Sequence, residues 1–172
     1  YAIDTDRNLW VWGYNGYGQF GLGNSTTLDN PVKVKNYYGW TDTIEESNKK
    51  VLKDDSVKFK KVVASTYVMC ALSEDGNMYM SGYGYYNSNS GMFNKGSNVL
   101  LKYANDKFND KVENIYCGNT VFYLRKNDGK LYAWGDNSHQ KAGLRHTTST
   151  GSTSYWVTEP TEPKHNGTHY SW

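Results

Sequence analysis

One short pattern occurs three times along this chain, and nothing else in the sequence constrains the fold as much. Its fullest copy is Trp12-Gly13-Tyr14-Asn15-Gly16-Tyr17-Gly18-Gln19-Phe20-Gly21-Leu22-Gly23. Trp134-Gly135-Asp136-Asn137-Ser138-His139-Gln140-Lys141-Ala142-Gly143-Leu144 is the second, and Ser81-Gly82-Tyr83-Gly84 is a degraded third. Each comes after an apolar, strand-like stretch. Two are preceded by a clear turn, at Asp75-Gly76 and Asp128-Gly129. Self-similarity over tens of residues means a solenoid, a propeller or an array.

Spacing chooses among these. Gly13, Gly82 and Gly135 lie 69 and 53 residues apart, which suits about four short strands with loops per repeat. Asn77 to Met80 and Lys130 to Trp134 alternate polar and apolar residues, as half-buried strands do. The Asp-Gly pairs supply the positive φ that a tight hairpin needs. Repeat 1 has Arg7 in that position, so its turn is expected to differ or to be strained. The one helical candidate runs from Thr41 to Leu52, with Thr41 as cap and Glu45-Glu46 near the N-terminus.

The pattern Trp-Gly-x-Asn-x-x-Gly-Gln-(Leu/Phe)-Gly-x-Gly, with Pro31-Val32-Lys33-Val34 after its first copy, resembles the repeat of the regulator of chromosome condensation (RCC1) family, in its bacterial-type members. Repeat 1 matches from Ala2 to Val34 and repeat 3 from Val112 to Leu144. Repeat 2 matches from Val57 to Gly82 and then drifts. Ala64-Ser65-Thr66-Tyr67-Val68 lacks the histidine of the family pattern. The resemblance implies an all-β fold, a β-propeller of four-stranded blades. About three such blades fit into 172 residues, whereas a ring needs about four to eight. The expectation is a partial propeller, an incomplete ring. Its repeats run about 1–35, 57–103 and 108–163, with an insertion at 36–56 and a tail at 164–172. Such an arc is either a continuation of a longer propeller or half of a ring closed by a homo-oligomer, since free strand edges invite association.

The formal net charge is only +2 and no long basic block exists, which argues against nucleic acid as a partner. No run of 18 apolar residues marks a membrane span. Abundant Tyr, Asn, Gly, Ser and Thr, with three arginines, reads as an exported bacterial protein, secreted or at the cell surface. Cys70 and Cys117 fall in different repeats and at non-equivalent positions. They are either a staple between blades or two small buried residues.

The signature itself reads as structural. Asn15, Gln19 and Asn137 can hold the loop next to them, and Trp12 and Trp134 fit as side chains packed between blades. The glycine-rich run lacks the Gly-Lys-Ser/Thr ending of a phosphate loop. His146, His165 and His169 lie in a polar tail without the fixed spacing of a zinc site. No nucleophile elbow or carboxylate pair is present. No cofactor and no enzyme activity are expected.

Aromatics in or beside predicted loops carry the functional signal: Tyr14, Tyr17, Tyr37, Tyr38, Trp40, Tyr83, Tyr85, Tyr86, Phe93, Tyr155 and Trp156. Tyrosine among Gly, Ser and Asn is the composition of adaptable binding surfaces. Tyr17, Tyr38, Trp40, Tyr83, Tyr85 and Tyr86 are the candidate contacts to a protein or glycan partner. Three functions fit: a recognition or adhesion module, a regulator of a partner protein, or a building block of a surface or tail assembly. For the second, the resemblance brings exchange on a small GTPase and inhibition of an enzyme as precedents. An exchange wedge would have to come from Thr41 to Asp55.

Overall fold

A computed structural model describes residues 1–35, 37–39, 51–52, 57–83, 97–103, 105–144, 156–165 and 168–169. Fifteen strands are present among them: β1 Ala2–Ile3, β2 Leu9–Gly13, β3 Leu28–Lys33, β4 Tyr37–Gly39, β5 Val51–Leu52, β6 Phe59–Ala64, β7 Val68–Ser73, β8 Met78–Gly82, β9 Ser97–Lys102, β10 Val112–Cys117, β11 Val121–Lys126, β12 Leu131–Asp136, β13 Trp156–Thr161, β14 Lys164–His165 and β15 Thr168–His169. They form three blades in an open arc. Blade 1 is β1-β2-β3, blade 2 contains β6-β7-β8-β9, and blade 3 is β10-β11-β12-β13, each an antiparallel meander. β14 and β15 pair as a separate ribbon.

The 36–56 insertion builds onto blade 2. β4 runs parallel to β9, pairing Tyr37 with Leu100 and Tyr38 with Leu101, and β5 adds antiparallel outside it. The helix expected from Thr41 to Leu52 therefore does not reach its end: Val51–Leu52 is strand. Residues 41–50 lie outside the described residues.

Strand alternation gives each blade two faces. Met69, Ala71 and Tyr79 of blade 2 meet Leu9, Val11 and Phe20 of blade 1. Cys70, Leu72, Met78 and Met80, on the opposite face, meet Phe122, Leu124, Tyr132 and Trp134 of blade 3. Among the described residues the core is thus two apolar layers between the three blades, with a smaller cluster of Val121, Ala133 and Ala142 on the far face of blade 3.

The turn of one blade docks on the next. Arg7 donates its N–H to the Asp4 carbonyl (3.0 Å), as Gly76 does to Ser73 (3.1 Å). The Arg7 carbonyl then accepts from Phe59 at the start of β6 (2.9 Å), and that of Gly76 from Val112 at the start of β10 (3.2 Å). The turn of repeat 1 is therefore the same turn, and Arg7 adopts a φ of 65° to make it. The Asp4 carboxylate holds it in place, accepting from the Asn8 side chain (2.9 Å), the Trp10 indole (2.8 Å) and the Asn8 N–H (2.8 Å). Those bonds, the Asn8 side chain first, lower the Asp4 carboxyl to about 2.

Trp134 is packed between blades as expected, fully buried and stacked on Phe122. Trp12 is not: it stays 41% exposed. The repeat register explains the difference. Trp12 projects from the face of blade 1 turned away from blade 2, whereas the equivalent face of blade 3 is the one packed onto blade 2. The same register position in blade 2 is Ser81, whose hydroxyl donates to the Gln19 carbonyl of blade 1 at 2.9 Å.

Candidate functional site

The signature loops after β2 and β12 are each fixed by one buried asparagine. The Asn15 Oδ1 accepts from Phe20 N–H (2.9 Å) while its Nδ2 donates to the Asn24 carbonyl (3.1 Å). Asn137 does the same with Ala142 (3.0 Å) and Leu144 (3.0 Å). Gln19 adds a bond from the Tyr17 N–H (3.0 Å). The structural reading of Asn15, Gln19 and Asn137 holds. The loop of blade 1 then lies against β9 of blade 2: a Cβ on Gly18 would sit 2.7 Å from the Asn98 Cβ.

This fixed loop presents aromatics at one end of the arc. Gly82 has a φ of 123°, and a Cβ there would collide with the Tyr67 carbonyl oxygen. Glycine lets the Tyr83 N–H reach that carbonyl at 2.9 Å, which ties Tyr83 to the β6–β7 turn. The Ser65 Oγ accepts from the N–H groups of Tyr67 (3.3 Å) and Val68 (3.1 Å), shaping the same turn. Three tyrosines then surround a fourth. Tyr17 meets Tyr67 edge-on with ring centroids 4.7 Å apart, Tyr14 edge-on at 5.9 Å, and Tyr83 at 5.9 Å in a tilted pair. Gly16 leaves room for the Tyr14 ring, since a Cβ would strike its hydroxyl. Tyr17 and Tyr67 are half-buried, while Tyr14 and Tyr83 remain 63% and 53% exposed. The result is an apolar platform spanning blades 1 and 2, with four phenolic groups around it.

At the corresponding places of blade 3 the same backbone carries polar side chains. Asp136 N–H donates to the Thr120 carbonyl at 2.9 Å, in the manner of Tyr83 and Tyr67. The Asp136 carboxylate accepts from Lys141 (2.7 Å), the Ser138 N–H (2.8 Å) and Thr120 (3.0 Å). Burial works to raise Asp136, but these bonds outweigh it and hold the carboxyl far below the ordinary range. The tyrosine platform therefore ends where a charged, self-paired patch begins.

The six residues singled out from sequence are distributed unevenly. Tyr17 and Tyr83 come together in the platform. Tyr38 lies in β4 on the outer side of blade 2. Trp40, Tyr85 and Tyr86 lie outside the described residues, as do Phe93 and Tyr155. Tyr37 and Trp156 belong to strands rather than loops. Tyr67 was missed because Thr66 to Leu72 reads as continuous strand. The Ser-Thr pair at 65–66, which opens a turn, was the available signal. Among the described residues no cluster of three His, Cys, Asp or Glu side chains is placed to hold a metal ion, and no helix is long and apolar enough to cross a membrane.

No family model matches the chain. Among curated proteins, the X-linked retinitis pigmentosa GTPase regulator of Canis lupus familiaris is 26% identical over 155 residues, covering 86% of this chain and 13% of that protein. Protein RCC1 of Candida albicans is 27% identical over 149 residues, covering 78% of this chain and 29% of its own length. Prp20p of Saccharomyces cerevisiae, solved with a study of its binding to Gsp1p and histones, superposes with a TM-score of 0.67 at 19% identity, over 97% of this chain and 36% of that one. The relatives it matches include Protein RCC1 itself, the blades described above superpose on the fold of Prp20p, and the chain spans less than a third of the curated relatives it matches. The doubled asparagine bond inside the loop explains why the repeat has Asn three residues after its tryptophan in blades 1 and 3.

Proposed function

We propose that this stretch of RCC1-type propeller is a non-catalytic docking surface through which a protein partner is regulated, and that its contact centre is Tyr14, Tyr17, Tyr67 and Tyr83. The exposed platform carries this reading. Two rings are held from below by their neighbours and two offer most of their area to solvent, so little side-chain entropy remains to be lost on binding. Relatives named for GTPase regulation, and a structural neighbour that binds Gsp1p, favour a regulatory role over the adhesion role. The partner class that fits is a GTP-binding protein.

The test is binding of the chain to a panel of purified small GTPases that includes Gsp1p, by interferometry, with Tyr14→Ala/Tyr83→Ala as the variant. Both side chains are exposed, so the variant should melt like the parent. Hot-spot aromatics contribute about 1 kcal/mol or more each, so binding should weaken by about 2 kcal/mol, roughly thirty-fold. Unchanged affinity in the double variant would remove the platform from the interface. No binding to any GTPase would remove that partner class.

A further inference from the structure

We propose that Cys70 and Cys117 form a redox-responsive staple: a small-molecule disulfide oxidises them to a bond that locks blade 2 to blade 3. Both thiols are free. Cys70 lies mid-strand in β7, on the face of blade 2 turned to blade 3, and is part of the apolar layer between them. Cys117 ends β10 and pairs across the ladder with Phe122. Directly opposed residues share a face, and Phe122 faces blade 2, so Cys117 enters the same layer from the other wall. It packs on the cluster that contains Cys70. The two walls are close, with β10 within 8 Å of both β6 and β7, Cα to Cα. A disulfide requires Cα atoms about 4.4–6.8 Å apart, so the bond forms when the two walls of this layer bring Cys70 and Cys117 within that range.

The two thiols are unequal, which orders the chemistry. Burial, and to a smaller extent the nearby Cys117 charge, push the Cys70 thiol up. Burial raises Cys117 to about 11. Cys117 is the half-buried one, with its Sγ–H on the Gly118 carbonyl at 2.7 Å, so it is the thiol an oxidant meets first. With oxidised glutathione, the Cys117 thiolate attacks one sulfur of the reagent. The reagent's S–S bond breaks, and the first glutathione leaves as thiolate and takes up the proton that Cys117 lost. Cys70 then attacks Cys117 Sγ after giving up its own proton. The mixed disulfide breaks and the second glutathione leaves as a thiol. Two electrons pass to the reagent and one S–S bond forms between the blades.

The staple is separate from the tyrosine platform and does not depend on the proposed partner. The native chain is incubated with oxidised glutathione beside a small control thiol, then unfolded and titrated for free thiols. The expected result is a fall from two thiols to none, a mass lower by two hydrogens, a monomer on non-reducing electrophoresis, and a higher melting temperature. Cys117→Ser should leave one thiol unmodified and show no rise in melting temperature. Two thiols remaining while the control is oxidised would overturn the proposal. So would a glutathione adduct left on Cys117, or a disulfide-linked dimer.

Discussion

Trp134 and Trp12 occupy the same place in two repeats and sit in opposite environments, so truncating each separates the contribution of the repeat from that of its neighbour. Trp134 is fully buried and stacks on Phe122 with centroids 5.5 Å apart and 16° between the rings. Trp134→Ala removes the burial and leaves a cavity, a change that costs about 3–5 kcal/mol in cores. The lost stack adds about 0.5–1.5 kcal/mol, part of it already counted in that range. The cavity walls are strands of two hydrogen-bonded sheets that cannot close around it, so the upper half of the range applies. Trp12 keeps 41% of its surface in water. Its removal leaves a notch that water fills, without a cavity penalty, and costs about 1–2 kcal/mol. Urea denaturation monitored by far-ultraviolet circular dichroism measures both, from the midpoint at constant slope. Equal costs for the two variants would refute the reasoning. So would a Trp134→Ala chain within about 1 kcal/mol of the parent, a size ordinary for surface changes.

Two further outcomes rest on single side chains. Arg7→Gly should raise stability by about 0.5–1 kcal/mol, because glycine takes positive φ freely. The ion pair it loses, Arg7 to Glu74 at 3.2 Å, is exposed on both sides and offsets little; a lower melting temperature would contradict this. Asp136 has a depressed carboxyl pKa in the folded chain, so its stabilisation is complete above the unfolded value of about 3.9 and is lost as pH falls below it. The melting temperature of Asp136→Asn should therefore trail the parent by a constant amount from pH 7 to 5, and the gap should narrow between about pH 4 and 2. A gap as wide at pH 2 as at pH 7 would show that the Asp136 charge is not what fixes the loop.

What was legible in the sequence is what a residue does within its own repeat. Asn15 and Asn137 were readable because both partners of each lie within the next nine residues. The hairpin turns at Asp75-Gly76 and Asp128-Gly129 were readable for the same reason. Features decided by a neighbouring blade were not. Trp12 and Trp134 share a local pattern, and only the presence or absence of a facing sheet separates them. At Arg7 the sequence left open a different turn or a strained one, and the bonds that select the strained one, to Asn8 and Trp10 through Asp4 and to Phe59 through the Arg7 carbonyl, are invisible to a propensity argument. Val51–Leu52 pairs with Tyr37–Tyr38 across the insertion, a contact that no helical cap signal at Thr41 could foresee. The platform was half legible: loop tyrosines 17 and 83 were singled out, while Tyr67 was hidden at the end of a strand-like run.

The loop of blade 1 restricts how such an array can change. Its glycines are not required by its own turn alone. A side chain at Gly21 would lie 2.8 Å from the Leu100 Cβ, and the Gly21 carbonyl accepts from the Leu100 N–H at 3.1 Å. Residue 21 is therefore constrained both by its own φ of 69° and by residue 100, in the next blade. Its counterpart in blade 3 is again a glycine, Gly143, at a φ of 68°, whereas the counterpart of Gly18 is Gln140, with a φ of 59°. Substitutions in the outer strand of one blade thus decide which residues its predecessor tolerates. Exchanging one blade for another therefore means re-matching both sides of this seam, the loop of one blade and the outer strand of the next.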